Sequence, residues 1–569
     1  MVKADQRSNI LVMAGAMLAY CATPWFGFVF DDRKDVLANP TLLHLSSILG
    51  YFVHAGGYLV GNPSFYRPVS GAWTNLNYFL FGLHSAGWHI ALLLLHCVAA
   101  FLCYRVVLAV MQDAAVATLA ALLFAIHPVH VESVAWISGC PDPLAAVFIF
   151  LALLFHLRAQ EKWQFYLLAL AAFAASLLSK ETALVFPLLI VVHTLLLGDQ
   201  PNRFGPVLKR AGPYFLVAAA YIAVRIHILG TFSHTLTPLP WKTQLLTLPS
   251  LAVFYARLLC WPAGLSPFYD TPYIKTASFS GFLIPLLVLL AMSALLVWWI
   301  RGLRSATDKE EHHSQQAIFF VAWMVLFLVP ALNLSAFEPG EIAHDRYLYL
   351  PSIGFCALVA IALKQLAEKL HLRQPIRLFA TAALATIFCV ATIAQSLFWK
   401  ADLSLYKRGA SIARNNINAQ SNLANIYLES GNMAQGIALH QQILKLKPQF
   451  VDSYFNLGLA YYNLGDFTQA QSYLQQAIAL RPVAGSYFYL GLAQFRKGDL
   501  TSAEQSLQRA TQLGRPQPDF YAALGVLYET EGRLSLALPE LEKALALNPG
   551  NSNVRNEVAK VRRQLGQTP

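Results

Sequence analysis

The hydrophobic pattern divides the chain into two parts that meet near residue 400. Long apolar segments, separated by short loops that hold most of the charged residues, fill the first part. Segments of this length and composition are typical of helices that span a bilayer. The second part has no apolar run of that length and repeats a unit of roughly 34 residues four times. The sequence therefore predicts an all-α protein with a membrane domain at 1–400 and a repeat domain at 401–569.

The repeats carry small residues at fixed positions. Small residues at this period let two antiparallel helices pack closely and stack on the next pair, which is typical of a tetratricopeptide solenoid. We expect about four repeats, closed by a capping helix near 551–565. Five polar or aromatic residues on the first helices either line the concave face or pack between repeats: Tyr454, Asn456, Tyr487, Tyr489 and Tyr521.

The first part contains eleven clear apolar segments and one ambiguous segment at 245–264. The ambiguous segment has the right length but contains an arginine and two prolines. If it crossed the bilayer, the basic loops near 301–304 and 364–377 would lie on the outer side, against the positive-inside bias. We therefore expect about eleven spans, a cytoplasmic N-terminus and repeats on the outer side. The predicted spans lie near 10–30, 86–110, 114–126, 143–157, 164–179, 182–198, 212–230, 281–300, 317–334, 352–367 and 378–398.

Composition supports a membrane protein and excludes several soluble classes. The mean hydropathy is +0.48 and 56% of the residues are hydrophobic. The formal net charge of +11 falls largely in short loops, where it orients spans, and no aromatic-interleaved basic stripe indicates nucleic-acid binding. The seven cysteines lie in the membrane part without metal-site spacing.

The adjacent carboxylates Asp31 and Asp32 follow directly after the first apolar segment. They either end the span as an interfacial pair or serve in chemistry. Because neighbouring carboxylates at a low-dielectric boundary repel each other and lose solvation, their pKa values rise, which suits a general base.

Two cations occupy comparable outer positions. Lys180 and Glu181 separate two apolar runs with almost no loop, and a lysine at this depth is costly unless it is paired. Arg346 lies at another outer edge, where its planar fork suits a phosphate group, although snorkelling to lipid headgroups is the simpler alternative. A carboxylate pair and two cations at an outer surface suit transfer from a lipid-phosphate donor to a hydroxyl acceptor.

Other polar residues in the outer loops are candidates for a substrate pocket. The segment from His127 to Glu132 combines three ligand types, but this spacing is not that of an established metal site. Substrate hydrogen bonding is favoured, and metal dependence stays open. Asp142 caps the following span, whatever further role it has. The predicted pocket residues are His127, His130, Glu132, Asp142, Glu181, His344, Asp345 and Tyr347.

Five stretches in this order resemble the transmembrane-and-tetratricopeptide O-mannosyltransferases, a family with the GT-C fold. They are FVFDDRKDVLANP (28–40), FYRPVSGAWTNLNYFLFG (65–82), HPVHVESVAWISG (127–139), LSKETALVFP (178–187) and DRYLYLPSIG (345–354). The resemblance implies that Asp31 and Asp32 are catalytic and that the donor is a polyprenyl-phosphate mannose. It implies a Ser or Thr acceptor, an inverting displacement and no organic cofactor.

Binding of the donor phosphate by Lys180 and Arg346 is our inference from the residues. Two positions depart from the family pattern. Cys140 stands where the family usually has arginine, and Asp345 stands where it usually has glutamate. The first change removes a cation near the expected pocket, so we expect a difference either in which donor binds or in the affinity for the donor.

The repeats are expected to hold an acceptor polypeptide, or a glycan carrier, near the pocket. The alternative function is a non-enzymatic scaffold that organises a periplasmic complex, for which eleven spans are more than an anchor needs. A transporter ranks last, because its charges should lie near the bilayer midplane. A glycosylation sequon at Asn333 lies beside the expected pocket, where a glycan would interfere, and this favours a bacterial inner membrane.

Overall fold

The computed structural model describes residues 5–54, 65–159, 162–198, 204–231, 239–303, 308–337 and 341–567. Lys3, Arg203 and Arg304 of the basic loops, and part of the long outer loop, lie outside these ranges. The described residues are helical or irregular and contain no strand. The predicted all-α fold is therefore confirmed. The chain divides into a membrane unit, residues 1–413, and a repeat unit, residues 414–569.

The membrane unit contains sixteen described α-helices and several short 3-10 or π turns. Apolar side chains from most of these helices form one large core. The helices are α1 Gln6–Ala19, α2 Ser47–Gly50, α3 Pro68–Phe81, α4 Ser85–Met111, α5 Ala114–Ile126, α6 Val131–Ala135, α7 Pro141–Arg158, α8 Trp163–Ser179, α9 Phe186–Leu197, α10 Phe204–Leu229, α11 Trp241–Cys260, α12 Ile284–Gly302, α13 Asp308–Leu328, α14 Pro351–Lys369, α15 Gln374–Ser396 and α16 Asp402–Ile412.

Eight helices in the described part are long and apolar enough to cross a membrane, or nine if the bent pair 114–126 and 128–135 forms one span. The helices Trp163–Ser179 and Glu181–Leu197 are apolar but shorter. The predicted count of about eleven spans is therefore not confirmed. Helix α11, which contains most of the ambiguous segment 245–264, is one of these eight helices, so the expectation that this segment does not cross the bilayer is not confirmed.

The repeat unit consists of four helix pairs and a final helix. The helices are α17 Ile417–Glu429, α18 Met433–Leu446, α19 Val451–Asn463, α20 Phe467–Leu480, α21 Ala484–Arg496, α22 Leu500–Gln512, α23 Pro518–Thr530, α24 Leu534–Leu547 and α25 Ser552–Gln564. Helix α16, which the sequence prediction assigned to the repeat domain, belongs to the membrane unit here.

Close packing explains the glycines of the repeats. A Cβ at Gly458 would lie 2.6 Å from Leu474 Cγ, and a Cβ at Gly525 would lie 2.6 Å from Leu541 Cγ. In the first pair the roles are exchanged, because Gly436 of the second helix faces Leu428 of the first. Of the predicted surface residues, Tyr521 is buried, whereas Asn456 donates to Asn425 Oδ1 over 2.8 Å.

Candidate active site

The loop that follows α1 places the two adjacent carboxylates in different environments. Phe30, directly before them, has a φ of +58°, which costs energy for a residue with a side chain. Its ring packs edge-on against Trp136 and Phe268. Its backbone N–H donates to Asp402 Oδ1 over 2.9 Å. The surrounding contacts therefore hold the loop in a conformation that the chain alone would not favour.

Asp32 is fully buried and bonded to protein. It accepts hydrogen bonds from Val29 N at 3.2 Å, Ser138 N at 2.9 Å and Ser138 Oγ at 2.6 Å. Burial raises the pKa of Asp32 to about 7, although these hydrogen bonds oppose the shift. Its contacts join the loop to the 3-10 turn Ile137–Gly139, which suits a positioning role.

Asp31, in contrast, faces a cavity of about 150 Å³. Loss of solvation raises the pKa of Asp31, and the charges of Arg346 and Lys34 counteract that rise. Four cationic and three acidic side chains line the cavity, together with aromatic and small residues. The lining residues are Asp31, Lys34, Asp35, Phe65, Arg67, Trp136, Ser138, Gly139, Pro141, Asp142, Lys180 and Arg346.

Lys180 is the most buried cation of the cavity and is 4% exposed. Its Nζ lies 2.5 Å from Asp142 Oδ1, at the first turn of α7. Burial lowers the pKa of Lys180, and the Asp142 carboxylate opposes that change. Asp142 is thus the ion partner that a lysine at this depth requires.

Arg346 is fixed by Glu132 from α6. Glu132 accepts from the Arg346 backbone N–H over 3.0 Å and from its guanidinium Nη1. The guanidinium also lies 5.3 Å from the Trp136 ring and 5.3 Å from the Tyr347 ring. These contacts orient one face of the guanidinium while another part of it borders the cavity.

Arg67 is a third oriented cation, which the sequence analysis did not select. It forms a two-pronged ion pair with Glu181, with nitrogen–oxygen distances of 2.9 and 2.5 Å. Arg225 Nη1 approaches the same carboxylate at 4.0 Å. Arg67 directly precedes α3, within the quoted stretch FYRP, and a cation between apolar outer segments was the signal that could have identified it. Cys140 is buried and does not line the cavity.

The structure brings four of the predicted site residues to the cavity wall: Asp31, Asp142, Lys180 and Arg346. Glu132 and Glu181 lie behind the wall as partners of its arginines. Tyr347 also lies behind the wall, with Lys180 Nζ 5.4 Å from its ring. All these assignments of site residues stay predictions.

The remaining candidates lie deeper. His127 Nε2 is 3.1 Å from Leu259 O while its Nδ1 accepts from Val129 N, and His130 Nε2 is 2.8 Å from Ser352 Oγ.

Asp345 is buried against the Tyr269 hydroxyl, and burial raises the pKa of Asp345. His344 Nδ1 is 3.7 Å from a Glu132 oxygen. Within the described ranges, no three His, Cys, Asp or Glu residues are grouped to hold a metal ion.

Asp402 is the second residue that sequence reasoning missed. It is 7% exposed and accepts from Phe30 N, and its Oδ2 lies 2.5 Å from Arg33 Nε. Nearby, Gly27 N donates to Lys400 O over 3.1 Å, and the Trp399 and Trp136 rings stack at 6.0 Å. Residues 399–402, which follow the last predicted span, therefore hold the loop that carries Asp31 in place through these contacts.

Comparison with known proteins supports both units. Residues 66–229 match the family model described as dolichyl-phosphate-mannose-protein mannosyltransferase. Tetratricopeptide repeat models match residues 416–482, 455–518 and 518–551. Among solved structures, the crystal structure of MamA is 26% identical over a match that includes 25% of this chain and 85% of the MamA chain, with a TM-score of 0.25.

Three curated relatives match across most of this chain. Protein O-mannosyl-transferase Tmtc3 of Drosophila melanogaster is 24% identical over 84% of this chain and 59% of its own length. Protein O-mannosyl-transferase F38B6.6 of Caenorhabditis elegans is 27% identical, over 78% and 63%. Protein O-mannosyl-transferase TMTC1 of Homo sapiens is 26% identical, over 78% and 56%. The chain thus spans less than two thirds of the length of these relatives. The predicted resemblance is confirmed: this chain matches a mannosyltransferase family model followed by tetratricopeptide repeat models, and it is similar to curated protein O-mannosyl-transferases.

Proposed function

We propose that the chain is a glycosyltransferase that moves mannose from a polyprenyl-phosphate donor to a hydroxyl group, with Ser or Thr of a protein as acceptor. The observation that carries this proposal is the placement of Asp31 in one cavity with three oriented cations, Arg67, Lys180 and Arg346. The family described for residues 66–229 acts on dolichyl-phosphate-mannose, which supports the same donor class.

In the proposed reaction, Asp31 accepts the proton of the acceptor hydroxyl, while the oxygen of that hydroxyl forms a bond to the anomeric carbon of the sugar. The bond from that carbon to the phosphate oxygen breaks, and its electron pair leaves with the polyprenyl phosphate. Attack opposite the leaving group inverts the configuration. No covalent sugar–enzyme intermediate is needed.

The cations stabilise negative charge on the leaving phosphate. Arg346 provides a planar fork of donors, and its contacts with Glu132 and Trp136 fix that fork before substrate arrives. Lys180 contributes a positive charge from a buried pair. We assign Asp31 as the base, because Asp32 already accepts three hydrogen bonds within the protein.

We further propose that the cavity opens on the outer side of a bacterial inner membrane, with the N-terminus in the cytoplasm. Basic loops on the opposite side support this orientation. The repeat unit would then lie on the outer side, where it could hold an acceptor polypeptide.

The test uses purified protein in nanodiscs with radiolabelled polyprenyl-phosphate mannose and a pool of secreted proteins. We expect wild type to label protein and Asp31→Asn to lose transfer by about 10²–10⁴-fold. Asp32→Asn, the matched change at the adjacent carboxylate, should instead weaken folding, because the amide replaces one accepting oxygen by an NH2 group that faces the backbone N–H of either Val29 or Ser138.

Absence of label with every variant, wild type included, would contradict mannosyl transfer. Full transfer by a folded Asp31→Asn protein would remove Asp31 as the base. Loss of activity in Asp32→Asn without loss of thermal stability would move the base role to Asp32.

A further inference from the structure

A second, larger cavity lies at the opposite end of the helices that frame the candidate active site. It encloses about 670 Å³ between α7, α8, α9 and α10. Its lining residues are His156, Leu157, Ala159, Trp163, Tyr166, His193, Thr194, Gly205, Pro206, Lys209 and Arg210.

The position of this cavity follows from helix geometry. Asp142 of the candidate active site and His156 of the second cavity lie on the same helix, α7, and a rise of about 1.5 Å per residue separates them by roughly 21 Å along its axis. Helix α8 shows the same arrangement, because it begins at Trp163 in the second cavity and ends directly before Lys180. The two cavities therefore lie at opposite ends of the helix bundle.

The two cavities differ in chemistry. The candidate active site contains acidic and basic side chains together, whereas among the described residues no carboxylate lines the second cavity and its charged side chains are Lys209 and Arg210. Lys209 is exposed and Arg210 is half-buried. The N-terminus of α8 has no side-chain cap hydrogen bond, and the positive end of the helix dipole there adds positive potential. The cavity thus attracts an anion.

Part of the remaining wall is apolar. Leu157, Ala159 and Pro206 line it, and Trp163 is 69% exposed at the position where tryptophan marks a membrane–water interface. Deeper in the cavity, His156 Nδ1 is 3.0 Å from the Tyr214 hydroxyl, so this imidazole is held by the protein. A cationic rim beside an apolar wall fits an amphipathic anion better than a free ion.

We propose that this cavity binds one anionic phospholipid, with Lys209 and Arg210 contacting the headgroup phosphate and the apolar wall contacting the glycerol and upper acyl chain. Basic pockets between transmembrane helices are known to select such headgroups. The lipid site is independent of the proposed sugar transfer, because no residue that lines it lines the candidate active site.

The test measures retained phosphatidylglycerol by native mass spectrometry of the full chain, released from nanodiscs with equal phosphatidylglycerol and phosphatidylcholine of the same acyl chains. We expect wild type to retain phosphatidylglycerol selectively. Lys209→Gln/Arg210→Gln should reduce that retention about tenfold. Lys369→Gln/Arg373→Gln removes two exposed basic residues that do not line the cavity and should leave retention unchanged.

A second variant separates lipid binding from general surface charge. Ala159→Trp fills part of the cavity without changing charge, and it should reduce phosphatidylglycerol retention as well. Equal retention by wild type and both cavity variants would overturn the proposal. Displacement of the lipid by millimolar inorganic phosphate, with phosphate retained in its place, would also overturn it in favour of a free-anion site.

Discussion

The membrane unit and the repeat unit position their important residues in opposite ways. In the membrane unit, contacts that fix the candidate site join residues far apart in sequence. Ser138 to Asp32 spans 106 positions, Arg346 to Glu132 spans 214, and Phe30 to Asp402 spans 372. In the repeat unit, neighbouring helices meet through a local glycine–leucine contact that recurs at each pair.

This difference predicts different sensitivity to mutation. Among the described residues, no ion pair of the candidate site is repeated elsewhere in the site, and removal of one partner leaves a charge in a poorly solvated place. The repeat contacts are copies of one another, and the stability of such an array is roughly a sum of its units and interfaces. We therefore expect changes in the membrane unit to act on transfer, and changes in the repeats to act on local stability.

Among the variants that test this difference between the two units, we expect the largest effect from Arg346→Gln. The change removes the guanidinium that borders the cavity and leaves Glu132 without its ion partner. We expect transfer to fall about 10²–10³-fold, as for loss of one group that stabilises charge in a transition state. Single-turnover transfer in nanodiscs is the measurement.

The matched variant for this prediction is Arg346→Gln combined with Glu132→Gln, which removes the stranded carboxylate. If the double variant recovers folding but not transfer, Arg346 acts on substrate. Recovery of transfer in the double variant would show that Arg346 serves only to neutralise Glu132.

Asp402→Asn should have the next largest effect. Asparagine keeps an oxygen that can accept from Phe30 N but loses the charge that pairs with Arg33. Displacement of the Asp31 loop should lower kcat about tenfold to a hundredfold with little change in KM for the donor. Steady-state transfer kinetics measure both quantities.

Arg33→Gln is the matched control, because it removes the same ion pair while the Asp402 carboxylate stays as a charged acceptor for Phe30 N. It should lower kcat less than Asp402→Asn. A lowered melting temperature with unchanged kcat in Asp402→Asn would show a purely structural role.

The sequence predicted features that depend on local pattern. The four helix pairs and the helix Ser552–Gln564 follow from spacing of small residues, which requires no long-range information. Asp31, Asp142, Lys180 and Arg346 stood out because charged residues at the edges of apolar segments are costly, and all four line the cavity.

Pairing across long separations could not be predicted from pattern. Arg67 meets Glu181 across 114 positions, and no periodicity relates the two. Asp402 was missed for another reason: its helix follows the last predicted span and has the composition of a repeat helix. Because the predicted domain boundary at residue 400 assigned Asp402 to the repeat domain, its contact with the Asp31 loop was not predicted.

The pH dependence of transfer tests whether Asp31 or Asp32 is the base. Transfer requires the ionised carboxylate, so the rate should fall as pH drops through the pKa of Asp31. Burial raises that pKa above its ordinary value of 3.8, which places the acid limb at higher pH than for a solvated aspartate. Lys34→Gln removes a charge that lowers this pKa, and the limb should move further upward.

Arg33→Gln serves as the control, because Arg33 is not among the charges that shift the Asp31 pKa. The measurement is kcat/KM against pH. A limb that stays in place in Lys34→Gln would contradict the assignment, since the Lys34 charge lowers the pKa of Asp31.

The smallest effect on transfer is expected from Gly458→Ala in the repeat unit. A Cβ there would lie 2.6 Å from Leu474 Cγ, so the helix pair must separate or Leu474 must change rotamer. Crowding of this kind costs about 1–3 kcal/mol of local stability. Gly485→Ala is the matched control, because the nearest atom to its Cβ lies 3.8 Å away and alanine favours a helix.

Hydrogen exchange should increase around α19 and α20 only in Gly458→Ala, while transfer to a short peptide acceptor stays within about twofold of wild type. A loss of peptide transfer as large as that of Asp402→Asn would break the comparison, because repeat packing would then control the chemistry of the membrane unit.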